Sequence, residues 1–198
     1  MKLLNRLIEQ AKNPNGRIGS IMLSIMNKAH AGMNAWAFER LDLAGSPAIL
    51  NIGCGGGKTI HTLSGLNPNA ILYGIDSSEQ AVKDSIQANQ KAAEAGRVRV
   101  FQAFVSDTPF EDRRFDLITA FQTHYFWDDM EGAVKEVFRI LKEKGCFTLV
   151  AELYKINYHM TSYKTKEDMQ SLLVRTGFHT VTFHEHAAKG WLCIQATK

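Results

Sequence analysis

Residues 48–59 read Ala-Ile-Leu-Asn-Ile-Gly-Cys-Gly-Gly-Gly-Lys-Thr, an apolar run that breaks into four glycines between positions 53 and 57 and then resumes. The apolar part predicts a buried strand, and Lys58-Thr59 predicts the start of a helix. A strand that ends this way brings bare backbone N–H groups and a helix N-terminus to its carboxyl edge, where open α/β sheets take their ligands. A nucleoside-containing cofactor is the first expectation.

Spacing narrows the choice. A phosphate-cradling loop needs four residues between its first glycine and Gly-Lys-Ser/Thr. Between Gly53 and Gly57-Lys58-Thr59 stand only Cys54, Gly55 and Gly56, one too few. A dinucleotide fingerprint Gly-x-Gly-x-x-Gly wants its third glycine where Lys58 stands, because helix and strand pack closely there. A lysine in that slot argues against NAD or FAD.

The segment Leu50-Asn51-Ile52-Gly53-Cys54-Gly55-Gly56-Gly57 resembles the first motif of class I S-adenosylmethionine-dependent methyltransferases, hydrophobic-Asp/Glu-hydrophobic-Gly-Cys-Gly-Thr/Gly-Gly. It departs at Asn51, where the family carries a carboxylate; an amide accepts a hydrogen bond without the charge. Ala70 to Asp76 reads as a second strand ending in an acid, about 20 residues past the glycines, the separation at which a carboxylate reaches ribose hydroxyls. After it, Ser77-Ser78-Glu79-Gln80 reads as a capping-box start of a helix. Thr108-Pro109-Phe110 through Phe115-Asp116-Leu117-Ile118 is similar to the family's passage into the fourth strand, and 133–145 to its helix and turn before the fifth.

The resemblance implies S-adenosyl-L-methionine as cofactor, S-adenosyl-L-homocysteine as product, and a cofactor site at Asn51, Gly53, Cys54, Gly55, Gly57, Asp76, Ser77, Phe104, Val105 and Phe121. Where relatives often bind adenine through an Asp, this chain has Phe104, so an apolar wall of Phe104 and Val105 takes that place, with Asp107 a weaker candidate.

Strands are expected near 47–52, 70–76, 98–104, 115–121, 145–152, 178–185 and 190–197, with helices between most of them. That alternation predicts an α/β fold: a Rossmann-like, seven-stranded, mostly parallel sheet with helices on both faces. The last two strands, joined by a short turn at Ala188-Lys189-Gly190, are expected to pair antiparallel. Thr165 with Asp168 predicts a helix start, and Gly96, Gly145 and Gly177 predict helix stops. The 198 residues, 45% hydrophobic and 22% charged, suit one methyltransferase domain over 1–198, with an N-terminal helical cap at 1–45 and a core at 46–198.

A formal charge of +3 with scattered Lys and Arg gives no reason to expect a nucleic-acid partner. No apolar run reaches a membrane span and no signal-peptide pattern follows Met1. The three cysteines, Cys54, Cys146 and Cys193, fit neither a disulfide framework nor a zinc site, and suggest small buried hydrophobes in a cytoplasmic protein. His184-Glu185-His186 supplies too few ligands for a metal, so none is expected. Oligomeric state is left open.

In the cap, Ile18, Ile21, Met22, Ile25, Met26 and Ala29 follow the helical rule, and Leu3, Leu4, Leu7 and Ile8 suggest a shorter helix before it. The pair covers the core, or forms a lid over the cofactor as in small methyltransferases; membrane-surface attachment is a third reading, weakened by having only Lys28 as a cation between Arg17 and Arg40. As a lid it would bring His30, Met33, Asn34 and Trp36 to the chamber of a small-molecule methyl acceptor. The opposite wall falls to Phe121-Gln122-Thr123-His124-Tyr125-Phe126-Trp127, whose rings suit a sulfonium or cationic amine; Tyr125, Trp127 and Tyr154 are the substrate candidates there. His124, Glu152, His159 and Tyr163 are the candidate bases. Two functions stand: in-line methyl transfer to a small molecule, or non-catalytic binding of S-adenosylmethionine or S-adenosylhomocysteine.

Overall fold

The computed structural model describes residues 16–198, so the helix expected around Leu3 to Ile8 lies outside the described residues. Seven strands form one sheet: β1 (Ala48–Ile52), β2 (Ile71–Asp76), β3 (Val98–Gln102), β4 (Phe115–Phe121), β5 (Leu141–Glu152), β6 (Thr180–His186) and β7 (Trp191–Thr197). Their order is β3-β2-β1-β4-β5-β7-β6. β1 pairs in parallel with both β2 and β4, β2 with β3, and β4 with β5. β7 runs antiparallel to β5 on one side and β6 on the other, so the closing hairpin extends the sheet beyond β5 with β7 inside and β6 at the edge.

The helices are α1 (Gly16–Ala29), α2 (Ala31–Phe38), α3 (Lys58–Leu66), α4 (Glu79–Ala88), α5 (Gln90–Glu94), α6 (Met130–Ile140), α7 (Leu153–His159) and α8 (Lys166–Thr176). Strand side chains alternate between faces, and the core divides accordingly. Leu50, Ile52, Tyr73, Ile75 and Ile118 pack with Val134 and Val137 of α6 and Leu172 and Leu173 of α8. Ile49, Leu72 and Leu117 face Ile60 and Leu63 of α3 on the other side. Met33 and Ala37 of α2 cover Phe121, Val150 and Cys193 farther along. Both faces of β1 are therefore buried, which is why its sequence is a continuous apolar run.

Local chemistry sets the helix ends. Ser78, Asp129 and Thr165 each accept a hydrogen bond from the backbone N–H three residues on, at Ala81, Gly132 and Asp168. The cap of α4 is thus Ser78, one residue later than a box of Ser77 with Gln80 requires. Gly96 and Gly177 turn the chain with φ of 73° and 123°. Gly145 does not stop a helix: α6 ends at Ile140, β5 begins at Leu141, and the left-handed residue is Lys144, φ 64°. β5 runs through this point as one strand, with a register shift against β4 between Phe115 and Leu117.

Cys54 and Cys193 are buried and Cys146 is half-buried. Burial pushes the Cys193 thiol up to about 12 and Cys54 higher still, so neither is a thiolate nucleophile. Among the described residues no helix is long and apolar enough to cross a membrane, and no group of three or more His, Cys, Asp or Glu is placed to hold a metal ion.

Candidate functional site

The carboxyl ends of β1, β2 and β4 open onto one cavity of about 260 Å³, closed from above by Leu23 and Met26 of α1, His30, and Asn34 of α2. It lies where the sheet order reverses direction around β1, the position at which open α/β sheets bind ligands. The glycine turn forms its floor. Gly53, Gly55 and Gly57 take φ of 65°, 51° and 77°, a region costly for residues with a Cβ. A Cβ on Gly53 would stand 2.3 Å from Thr123 Oγ1, and one on Gly57 2.7 Å from the Ser85 Cα, so the turn has room for glycine only. Gly53 and Cys54 N–H both donate to the Ile75 carbonyl, at 2.8 and 3.1 Å, tying the turn to β2.

Asp76 ends β2 against this turn. Its Oδ2 accepts from Gly55 N–H at 2.9 Å and its Oδ1 from Ser78 N–H at 3.0 Å. Burial raises its pKa, while these two N–H groups pull the other way. The acid therefore braces the glycine turn while lining the cavity. Ala103, Phe104, Val105 and Ser106 form the far wall, with Phe104 66% exposed at the rim.

The opposite end carries a polar network. Gln122 follows β4 with φ 57°, a strained position for a residue with a side chain. It is held there by its own bonds: N–H to Val150 O at 2.7 Å, Nε2 to Glu152 Oε2 at 2.7 Å, and Oε1 accepting from Tyr125 Oη at 3.0 Å. Glu152 also meets Lys155 Nζ at 2.9 Å, and Lys155 lies 2.8 Å from His30 Nε2. Burial alone would raise the Glu152 carboxyl, but the bonds from Lys155 and Gln122 hold it below the usual carboxylate range.

Of the residues expected at the site, the cavity wall contains Gly53, Cys54, Gly55, Asp76, Ser77, Phe104, Val105, Phe121, His30, Asn34 and Trp127. The others stand elsewhere. Asn51 is 1% exposed between strands, its Oδ1 3.4 Å from Thr119 Oγ1, because its alternation points it at α3's face of the sheet. Gly57 shapes the turn from outside the wall, its carbonyl accepting from Asn89 Nδ2. Met33 is 2% exposed under α2, in the core. Trp36, nearly one turn on, packs on Trp191 and His186 beneath Arg40.

Tyr125 is buried, bonded to Gln122 and stacked on His159 at 5.2 Å, so neither ring borders the cavity. His124 is fully buried and off the cavity wall, and neither of its nitrogens has a partner among the described residues. Tyr154 is exposed on α7, and Tyr163 bonds Glu131 and Arg175. Glu152 lies behind His30 and Gln122. Lys155 escaped the sequence reading altogether; its one local signal is its spacing of three residues from Glu152. The acidic end of the wall, Asp128 and Asp129, and Thr59 on α3 were also unforeseen as lining residues.

A doubly wound sheet with a glycine turn after β1, an acid after β2 and a reversed β7 defines a Rossmann-like, nucleoside-binding architecture. The same fold is seen in a SAM-dependent methyltransferase from Aquifex aeolicus, with a TM-score of 0.73 at 15% identity over 90% of this chain and 97% of that one. The methyltransferase-domain family model matches residues 50–149, and the chain belongs to that family. Among curated relatives, the methyltransferase YcgJ of Bacillus subtilis is 36% identical over 103 residues, 52% of this chain and 39% of that protein. Sterol 4-C-methyltransferase strm-1 of Caenorhabditis elegans is 25% identical over 170 residues, 84% of this chain and 50% of that protein. The chain spans about half the length of the curated relatives it matches.

Proposed function

We propose that this chain transfers a methyl group from S-adenosylmethionine to a small-molecule acceptor, releasing S-adenosylhomocysteine. The observation that carries the reading is the Asp76 carboxylate set against a glycine-only turn at the floor of a capped cavity. When bound, S-adenosylmethionine supplies a methyl group on a positively charged sulfur.

The residues present fit that molecule. Gly53 and Gly55 let it approach the backbone, Asp76 offers carboxylate oxygens to ribose hydroxyls, and Phe104 with Val105 supplies an apolar wall for adenine. Asn34 Oδ1, buried and without a partner among the described residues, is a ready acceptor for the ammonium of its amino-acid end. Leu23, Met26 and Phe121 exclude water, and orientation within such a chamber contributes up to ~7–11 kcal/mol in favourable cases. In this reading residues 1–198 act as one domain, 1–45 as its cap, in the cytoplasm and without a nucleic-acid partner.

Calorimetry with S-adenosylhomocysteine, followed by a scan of small acceptors for S-adenosylhomocysteine release, tests the reading. Binding followed by turnover with at least one acceptor supports it. Absence of binding refutes it, and binding with no turnover for any acceptor favours a non-catalytic binder.

A further inference from the structure

His30 stands where α1 meets α2, on the cavity wall, with its Nε2 2.8 Å from Lys155 Nζ on α7. The two residues are 125 positions apart in the chain. An ammonium group has three donors and no acceptor. A contact of that length therefore requires Nε2 to offer its lone pair, and in a neutral ring the single proton then sits on Nδ1. Glu152 cannot reverse this, because its Oε2 is 3.8 Å from Nε2, beyond hydrogen-bond reach, and is engaged by Lys155 and Gln122. Burial and then the Lys155 charge lower the His30 pKa to about 4, so the ring is neutral at neutral pH.

We propose that Lys155 is a positioning residue that fixes His30 as an Nδ1–H donor, and that the chamber accordingly takes an acceptor whose methylated atom is an oxyanion, a phenolate or carboxylate. The proposal rests on the methyl-transfer reading above. An oxyanion has lone pairs enough to accept from Nδ1–H and still attack. Its attacking pair forms the new O–C bond, the pair of the broken C–S bond stays on sulfur, the two charges cancel and no proton moves. A neutral amine has one lone pair, which cannot serve both purposes. A neutral hydroxyl would have to lose a proton to a base, and His30 in this tautomer, its Nε2 engaged by Lys155, is a donor and not that base.

The test is made on the full chain with ¹⁵N-labelled histidine, the His30 signals being assigned by their loss in His30→Gln. Two-bond ¹H–¹⁵N correlation without cofactor is expected to show protonated Nδ1 and bare Nε2 in wild type and in Lys155→Arg, whose guanidinium is also donor-only. Lys155→Met should move most of the population to the Nε2–H tautomer. An Nε2–H ring or an imidazolium in wild type at neutral pH, or no change in Lys155→Met, overturns the assignment.

With S-adenosylhomocysteine bound, benzoate and 4-nitrophenolate probe the carboxylate and phenolate arms, and benzylamine is the cationic control. At least one anion should shift the Nδ1 signal at about tenfold lower concentration than benzylamine, the scale of one hydrogen bond to a charged group. Equal or better binding of benzylamine, or no response to either anion, overturns the acceptor class. Failure of S-adenosylhomocysteine to bind would refute methyl transfer, and with it the acceptor class, while the cofactor-free spectra still decide the role of Lys155.

Discussion

His124 sits behind the cavity at 1% exposure, edged by the rings of Tyr125 and Trp127, with both nitrogens unpartnered among the described residues. Burial lowers its pKa from 6.5 to about 4. Between those values the unfolded chain holds a proton there that the folded chain refuses. Unfolding therefore binds protons in that window, and stability falls as pH falls. The contribution is complete above about pH 6.5 and is lost by about pH 4. At ~1.36 kcal/mol per pH unit the window amounts to about 3 kcal/mol, a large share of the ~5–15 kcal/mol that stabilises a typical domain.

His124→Phe keeps a flat ring and removes the titration. Urea unfolding followed by circular dichroism, at pH steps across the window, measures both proteins. At neutral pH the variant should be at least as stable as wild type, since unsatisfied buried polar groups cost ~1–3 kcal/mol. The stability gap should then widen in the variant's favour by about 3 kcal/mol as the pH falls. His30 and the carboxylates also titrate there, but they remain in both proteins and cancel in the difference. Parallel stability curves would refute the reasoning, because they would mean His124 protonates as readily folded as unfolded.

Asp76→Ala removes the acceptor of two backbone N–H groups, and charge-assisted hydrogen bonds contribute ~1.5–3 kcal/mol. S-adenosylhomocysteine affinity by calorimetry should drop at least about tenfold, and unchanged affinity would remove Asp76 from the site. Gly57→Ala forces a side chain into φ 77° with its Cβ 2.7 Å from Ser85 Cα, so the left-handed penalty of ~1–2 kcal/mol is a floor; a melting temperature equal to wild type would contradict it. Phe104→Ser, at an exposed rim position, should change stability by no more than ~0.5 kcal/mol. It should nonetheless weaken S-adenosylhomocysteine binding if the ring stacks on adenine, an effect of ~1–3 kcal/mol in comparable base stacking.

All seven expected strands correspond to observed ones, most ends agreeing within two residues. Strand periodicity, glycine spacing and cap chemistry are properties of neighbours in the chain, and the chain alone displays them. The exception in the sheet, β5 starting at Leu141, arises because Arg113 and Arg114 N–H find the Arg139 and Ile140 carbonyls across a gap in sequence. No local pattern announces that pairing.

The same division runs through the site. Gly53, Gly55 and Asp76 were legible because a turn after β1 and an acid after β2 must meet wherever parallel strands lie side by side. The acceptor chamber was not, because which face of α2 looks inward is set by its packing on β4, β5 and β7. That rotation sends Asn34 to the cavity and Met33 and Trp36 away from it. The residues from Phe121 to Trp127 divide likewise, since the left-handed Gln122 redirects the chain and leaves Phe126 and Trp127, but not His124 or Tyr125, on the wall. Local order in the chain thus specifies the sheet and the cofactor floor, where short-range periodicity and backbone sterics suffice. The meeting of His30 with Lys155, 125 residues apart, comes from the fold alone, because long-range packing brings those two side chains together.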